Sequence, residues 1–188
     1  MRRGEAIESQ GLVADNLSVI KIGMAVGSRQ LGDAIKTPVC LLGPGRLLGF
    51  SALFGLHSPL GTEAATPLRL CQIPISALYQ LDLIDHRFQQ AIYQAGGAYF
   101  ENLADWAHVM RAGSIKRQLI RALHLISREV GNAAFRMPSH VDLANLLSTR
   151  RETIARYLGQ LEADGFLEKI DRWHCVIRRD VAEHPEPD

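Results

Sequence analysis

The hydrophobic pattern changes character twice along the chain. In residues 1–80, "NLSVIKIGMAVGSRQ", "TPVCLLGPGRLLGF" and "ATPLRLCQIP" are short β-prone runs separated by glycine and proline. Such punctuation predicts a compact all-β unit. From Ile75 to Val130 proline disappears and the pattern turns helical, with a small element predicted over 76–81 and a long one after it. Phe88, Ile92, Ala95, Tyr99, Asn102, Trp106 and Val109 recur at alternating spacings of four and three. That is a heptad seam, so the pattern predicts a parallel coiled-coil dimer interface, with Asn102 fixing register. The same stripe could instead pack on the chain's own β unit. A break at Gly113 and Ser114 precedes a further predicted helix, "IKRQLIRALHLISREVG".

The pattern changes again in "PSHVDLANLLSTRRETIARYLGQLEADGFLEKIDRWHCVIRRD". Set on a helix, Ile154, Tyr157, Leu158 and Leu161 share one arc, while Arg151, Glu152, Ala155, Arg156 and Gly159 lie opposite. A mid-helix glycine costs ~1 kcal/mol relative to alanine. Gly159 and Ala155 therefore suit a helix face that must approach another surface closely. Upstream, Pro138 opens a second amphipathic segment with Val141, Leu143, Ala144, Leu146 and Leu147 as its apolar positions. Two short helices joined by a tight polar break predict a helix-turn-helix, whose second helix seats in the DNA major groove. Gly165 reads as a helix stop. Residues 166–170 and 173–177, turning at Asp171 and Arg172, read as a hairpin or wing. A plain interaction module is the alternative.

Composition narrows the classes. The chain has 188 residues and 47% hydrophobic content, enough for one large domain or two small ones. No apolar run reaches the ~20 residues of a membrane span. Met1, Arg2 and Arg3 are followed by no apolar stretch of the signal-peptide kind. Cys40, Cys71 and Cys175 are odd in number and widely spaced, which predicts a reducing cytoplasm without a disulfide framework. A formal net charge of +1 says little about nucleic acid by itself. Its distribution says more, because arginines gather at 150–156 and 178–179.

The order β unit, long helix, winged helix-turn-helix resembles the CRP/FNR family of bacterial transcription regulators, nearly end to end. "ESQGLVADNLSVIKIGMAV" looks like the opening of that family's cyclic-nucleotide-binding-like β-roll, and "LLGPGRLLGFSALFG" resembles its central Gly-rich turn. "RRETIARYLGQLEADGFLE" is similar to its recognition helix and following wing, and is the most specific of these matches. The resemblance implies an α+β chain with a β-roll at 1–80, a dimerisation helix at 81–113 and a winged helix-turn-helix at 114–188. It also implies roles. Arg151 would read a guanine edge, Glu152 would accept from a cytosine amino group, Arg156 would reach a base or phosphate, and Thr153 would touch the DNA backbone. Arg150 departs from the small hydroxyl residue common in the family. It would add a phosphate contact, or shift the helix start so that Thr149 caps it. Glu152 could equally complete a capping box with Thr149, and Arg151 and Arg156 could be solvated surface residues.

Cyclic-nucleotide binders of the family carry a Gly-Glu pair for the ribose and an Arg-Ser or Arg-Thr pair for the phosphate. Here the first pair is Gly49-Phe50, and no arginine or lysine lies between Leu47 and Leu68. A buried phosphodiester without a cation is unfavourable, so cyclic-AMP control is not expected. "LLGF" and "HSPLGTEAATPLRLCQIP" look more like the oxygen-sensing FNR branch, where the cysteine before "IP" helps hold an iron–sulfur cluster. Cys71 matches that position, but the chain lacks the N-terminal cysteine cluster that supplies the other ligands. Cys71 is therefore expected in the core. The seven histidines, from His57 to His184, show no metal-ligand spacing. No metal, iron–sulfur cluster or haem is expected, and the effector is left open.

The expected protein is thus a cytoplasmic, non-enzymatic regulator. Its expected partners are double-stranded DNA, a second copy of itself and RNA polymerase. Two other classes stand beside it: a cupin-like β-barrel metalloenzyme, and an interaction module with a degenerate DNA-binding domain.

Overall fold

The computed structural model describes residues 1–178; Arg179 and His184 lie outside the described residues. Two compact units divide the chain, Met1–Asp105 and Trp106–Asp188.

In the first unit, β1 (Ala6–Glu8), β6 (Gly61–Ala64), β3 (Ala25–Arg29) and β4 (Thr37–Leu42) form one antiparallel sheet, in the order β1-β6-β3-β4. The other antiparallel sheet is β5 (Leu47–Leu48), β2 (Asn16–Ile22) and β7 (Arg69–Pro74). Ile20, Ala25, Cys40, Leu42 and Leu48 are buried almost completely and fill the core. The Gly-rich turn has a steric reason. Gly49 adopts φ +80°, and a Cβ there would lie 2.1 Å from the Asn16 carbonyl oxygen, so no side chain fits between β5 and β2. A 3-10 turn, Phe50–Phe54, follows it.

Helix α1 (Ile75–Gln80) and the long α2 (His86–Met110) complete this part of the chain, with α2 belonging to the first unit as far as Asp105. Ile92 packs in a cluster with Leu17, Ile75 and Leu78, against which Phe50 and Phe88 also lie. The stripe that the spacing assigns to a dimer seam is therefore occupied inside the chain. Tyr99 meets Phe50 edge-on at 5.7 Å between ring centroids. Asn102 is buried and donates from Nδ2 to the Leu41 carbonyl at 3.2 Å, so its amide anchors α2 to β4. Phe88, Ala95 and Tyr99 are half-buried, and Trp106 and Val109 are buried. From Phe88 to Asn102 the heptad spacing locates a packed face of α2 whose partner in this structure is the β unit, the alternative noted above.

Cys71 also differs from expectation. It is exposed on β7, whereas Cys40 and Cys175 are buried. The physical reason is the strand's place. Among the described residues β7 ends its sheet, with no strand on its outer flank, and most of its residues are open to solvent.

The second unit holds α3 (Ile115–Val130), β8 (Ala134–Arg136), α4 (His140–Leu146), α5 (Arg151–Ala163), β9 (Leu167–Lys169) and β10 (His174–Ile177). Ser114 caps α3 by accepting from the Arg117 amide, which is the physical content of the break at 113–114. The hairpin expected over 166–177 is present, and β8 adds a third strand to give the order β8-β10-β9.

Candidate functional site

Helix α4 begins with a capping box: Ser139 Oγ accepts from the Asp142 amide at 3.1 Å, while the Asp142 carboxylate accepts from the Ser139 amide at 3.2 Å. Leu143, Ala144 and Leu146 of α4 are buried, as are Ile154, Leu158 and Leu161 of α5. The turn between the helices is tight. Ser148 takes φ 50°, and the Thr149 amide returns to the Ala144 carbonyl at 2.8 Å. Arg150 then stands extended at the N-cap of α5. Its side chain makes no cap hydrogen bond, and the Thr149–Glu152 box considered from sequence does not form. The reason is positional. Thr149 lies one residue before the cap, and its amide is engaged backwards to α4, leaving Arg150 to start the helix.

The N-terminus of α5 is thus without a side-chain cap, and its partial positive charge suits an anion such as a phosphate. Around it, Arg150, Arg151, Glu152 and Arg156 are exposed and Thr153 is half-buried. The five residues singled out from sequence are brought together on one end of one helix. Arg156 lies with its guanidinium 4.9 Å from the Tyr157 ring centroid, which supports the arm without occupying its hydrogen-bond donors. Gly159 is exposed, and a Cβ on it would meet nothing within 4 Å. Nothing among the described residues demands that glycine.

Sequence reasoning gave His140 no place beside this helix. His140, at the start of α4, has its pKa lowered by burial first and then by the positive charges of Arg151 and Lys169. These three residues come from three elements that no spacing rule connects. At the wing, Asp171 accepts from the Trp173 amide at 2.6 Å and the His174 amide at 2.8 Å, and pairs with the His174 ring. Those hydrogen bonds hold its carboxyl down at about 2. Trp173 has two guanidiniums close to its ring, Arg136 at 5.0 Å and Arg172 at 4.8 Å from the centroid. The wing tip is therefore basic and preorganised. Among the described residues, no group of three or more His, Cys, Asp or Glu side chains is placed to hold a metal ion, and no helix is long and apolar enough to cross a membrane.

A β-roll unit followed by a winged helix-turn-helix unit is the class of two-unit architecture that the chain presents. Residues 117–183 match the Crp-like helix-turn-helix domain. The chain is 25% identical over 130 residues to the anaerobic regulatory protein of Pasteurella multocida (strain Pm70), covering 66% of this chain and 48% of that protein. The matched region thus spans about half the length of that relative. The fold is similar to a CRP-family transcriptional regulator of Thermus thermophilus, with a TM-score of 0.72 and 18% identity, over 97% of this chain and 92% of that one. It is also similar to FixK2 of Bradyrhizobium japonicum, with a TM-score of 0.79 and 19% identity, over 95% and 90% respectively. Residues 117–183 thus match the Crp-like helix-turn-helix family, and the fold of the chain is similar to that of these regulators.

Proposed function

We propose that the chain is a sequence-specific DNA-binding transcription regulator, acting in the cytoplasm as a homodimer on a near-palindromic site. One observation carries this: α5 closes its apolar face onto α4 and leaves Arg150, Arg151, Glu152 and Arg156 exposed around an N-terminus that has no side-chain cap. Arg151 reads a guanine through O6 and N7, and Glu152 accepts from a cytosine amino group. Arg156 reaches a base or phosphate, while Arg150 and Thr153 hold the backbone. The exposed Gly159 lets α5 sit deep in the groove. RNA polymerase is the further partner, and catalysis has no part in the role.

The dimer uses a different stripe of α2 from the one the heptad spacing first suggests. Tyr93, Gly97, Phe100 and Ala104 also follow a four-three-four spacing and are exposed, Tyr93 by 68% and Phe100 by 74%. Large aromatic residues alternating with small ones along an open face support helix pairing with a second copy. Two α5 helices then enter successive major grooves ~34 Å apart. Cyclic AMP is not the signal, because Phe50 stands where the ribose-binding acid of cyclic-nucleotide receptors belongs.

Selection of bound sites from a random duplex pool tests this. The expected result is a two-fold symmetric motif with half-sites about one helical turn apart. Recovery of no motif, with binding that vanishes at modest salt, would overturn the sequence-specific reading.

A further inference from the structure

The β-roll unit holds a cavity of about 260 Å³ whose walls include Leu48, Phe50, Leu60, Tyr99, Phe100 and Glu8. Its lining is mostly carbon, and no lysine or arginine takes part. Ser51 and Glu8 depart from this apolar character, and Glu8, its one charged residue, has an unusual set of neighbours. Thr62 Oγ1 donates to one carboxylate oxygen at 3.2 Å and Ser58 Oγ to the other at 3.5 Å, and both hydroxyl residues are buried. The Gly49 amide also donates to this carboxylate. The groups that hold its pKa down are these three donors, and all three are neutral.

A carboxylate has about four acceptor positions, so three donors, one of them long, leave it with capacity for a further donor, and Glu8 is part of the cavity wall. Burial raises the Glu8 pKa, with the hydrogen bonds opposing but not cancelling it. Burial likewise raises that of Tyr99, and the charges of Cys40 and Glu8 add to it. The site is therefore short of positive charge. Phe50 and Tyr99 present aromatic surface beside it, edge-to-face at 5.7 Å. A carboxylate next to aromatic rings in an otherwise apolar chamber is the combination that holds an ammonium group, through a charge-assisted hydrogen bond and cation–π attraction. An anion would meet the opposite: repulsion from Glu8 and no cation to replace its water.

We propose that this cavity is a binding site for a small apolar molecule bearing an ammonium group, with Glu8 as its anchor and Leu48, Phe50 and Tyr99 around its body. Anionic ligands, nucleotides among them, are excluded. The site is argued from the β-roll unit alone and stands whether or not α5 reads DNA.

The test is isothermal titration of the full chain with phenethylamine, with 3-phenylpropionate, its counterpart of opposite charge, and with cyclic AMP. Saturable binding of the amine only is expected, weakened roughly ten-fold or more in Glu8→Gln, since a hydrogen bond to a charged group is lost. Gly96→Leu serves as the second variant. A Cβ there faces Phe50 at 3.8 Å, and a leucine would occupy the chamber without touching the carboxylate. It should abolish amine binding while the far-UV circular dichroism is unchanged. Equal binding of the amine by wild type and Glu8→Gln would overturn the proposal. So would binding of 3-phenylpropionate or cyclic AMP as tight as that of the amine, or no binding of phenethylamine at millimolar concentration.

Discussion

Helices α2 and α5 are both amphipathic, and the contrast between them shows what periodicity can and cannot tell. In α5 the apolar arc of Ile154, Leu158 and Leu161 is buried against its own unit, and the opposite arc carries the exposed arginines. In α2 the arc running from Phe88 to Asn102 is also packed within the chain, though its spacing suits a second copy just as well. A repeat of four and three identifies the face that leaves water. It does not say whether a sheet, a helix or another molecule covers that face. For α5 the question is settled locally, because α4 lies immediately upstream. For α2 the covering residues, Leu17 and Leu41 among them, are distant in sequence.

The difference can be broken by substitution. The largest effect is expected for Ile92→Ala, which leaves a void among Leu17, Ile75 and Leu78 and should cost about 2–5 kcal/mol of unfolding free energy by denaturant titration. If Ile92 served a dimer instead, stability of the dilute monomer would be unaltered. Phe100→Glu should act oppositely. It places a charge on the exposed stripe, and light scattering should report a monomer whose unfolding midpoint is close to that of dilute wild type. The expected weakening of association is about 2 kcal/mol or more, as for a central aromatic anchor. A dimer unaffected by Phe100→Glu would remove the stripe from the interface. The smallest effect is on α5: Gly159→Ala should raise helix stability by ~1 kcal/mol, because a Cβ meets open space. Affinity for the selected DNA that falls despite this gain would show that the glycine serves close approach.

Much of the winged unit is legible in the sequence because its signals are local. Gly165 stops α5 with φ +69°, Asp171 turns the wing, and the apolar arcs are contiguous in sequence. Strand β8 is not legible: three residues, Ala134–Arg136, become a strand only by pairing with β10, some forty positions later. A residue-type rule puts the cap of α5 on Thr149, whereas the structure engages that amide with Ala144 and starts the helix at Arg150. Glu8 carries no signal at all. An acid near the start of a β unit looks like surface, and only the approach of Thr62, Ser58 and Gly49 from distant positions shows that it is enclosed. Cys71 departs from expectation for a related reason, since β7 lies at the edge of its sheet and a β-prone run does not reveal which strand ends a sheet.

The claim on which the proposed role rests is that Arg151 reads a base. The direct measurement is binding of wild type and Arg151→Ala to the selected duplex and to each of its single-base-pair variants at fixed salt. The expected result is a loss of ~1–3 kcal/mol on the selected site, with discrimination relaxed at one base pair in each half-site. A uniform loss across every variant would make Arg151 a backbone contact, and no loss would take α5 out of the major groove.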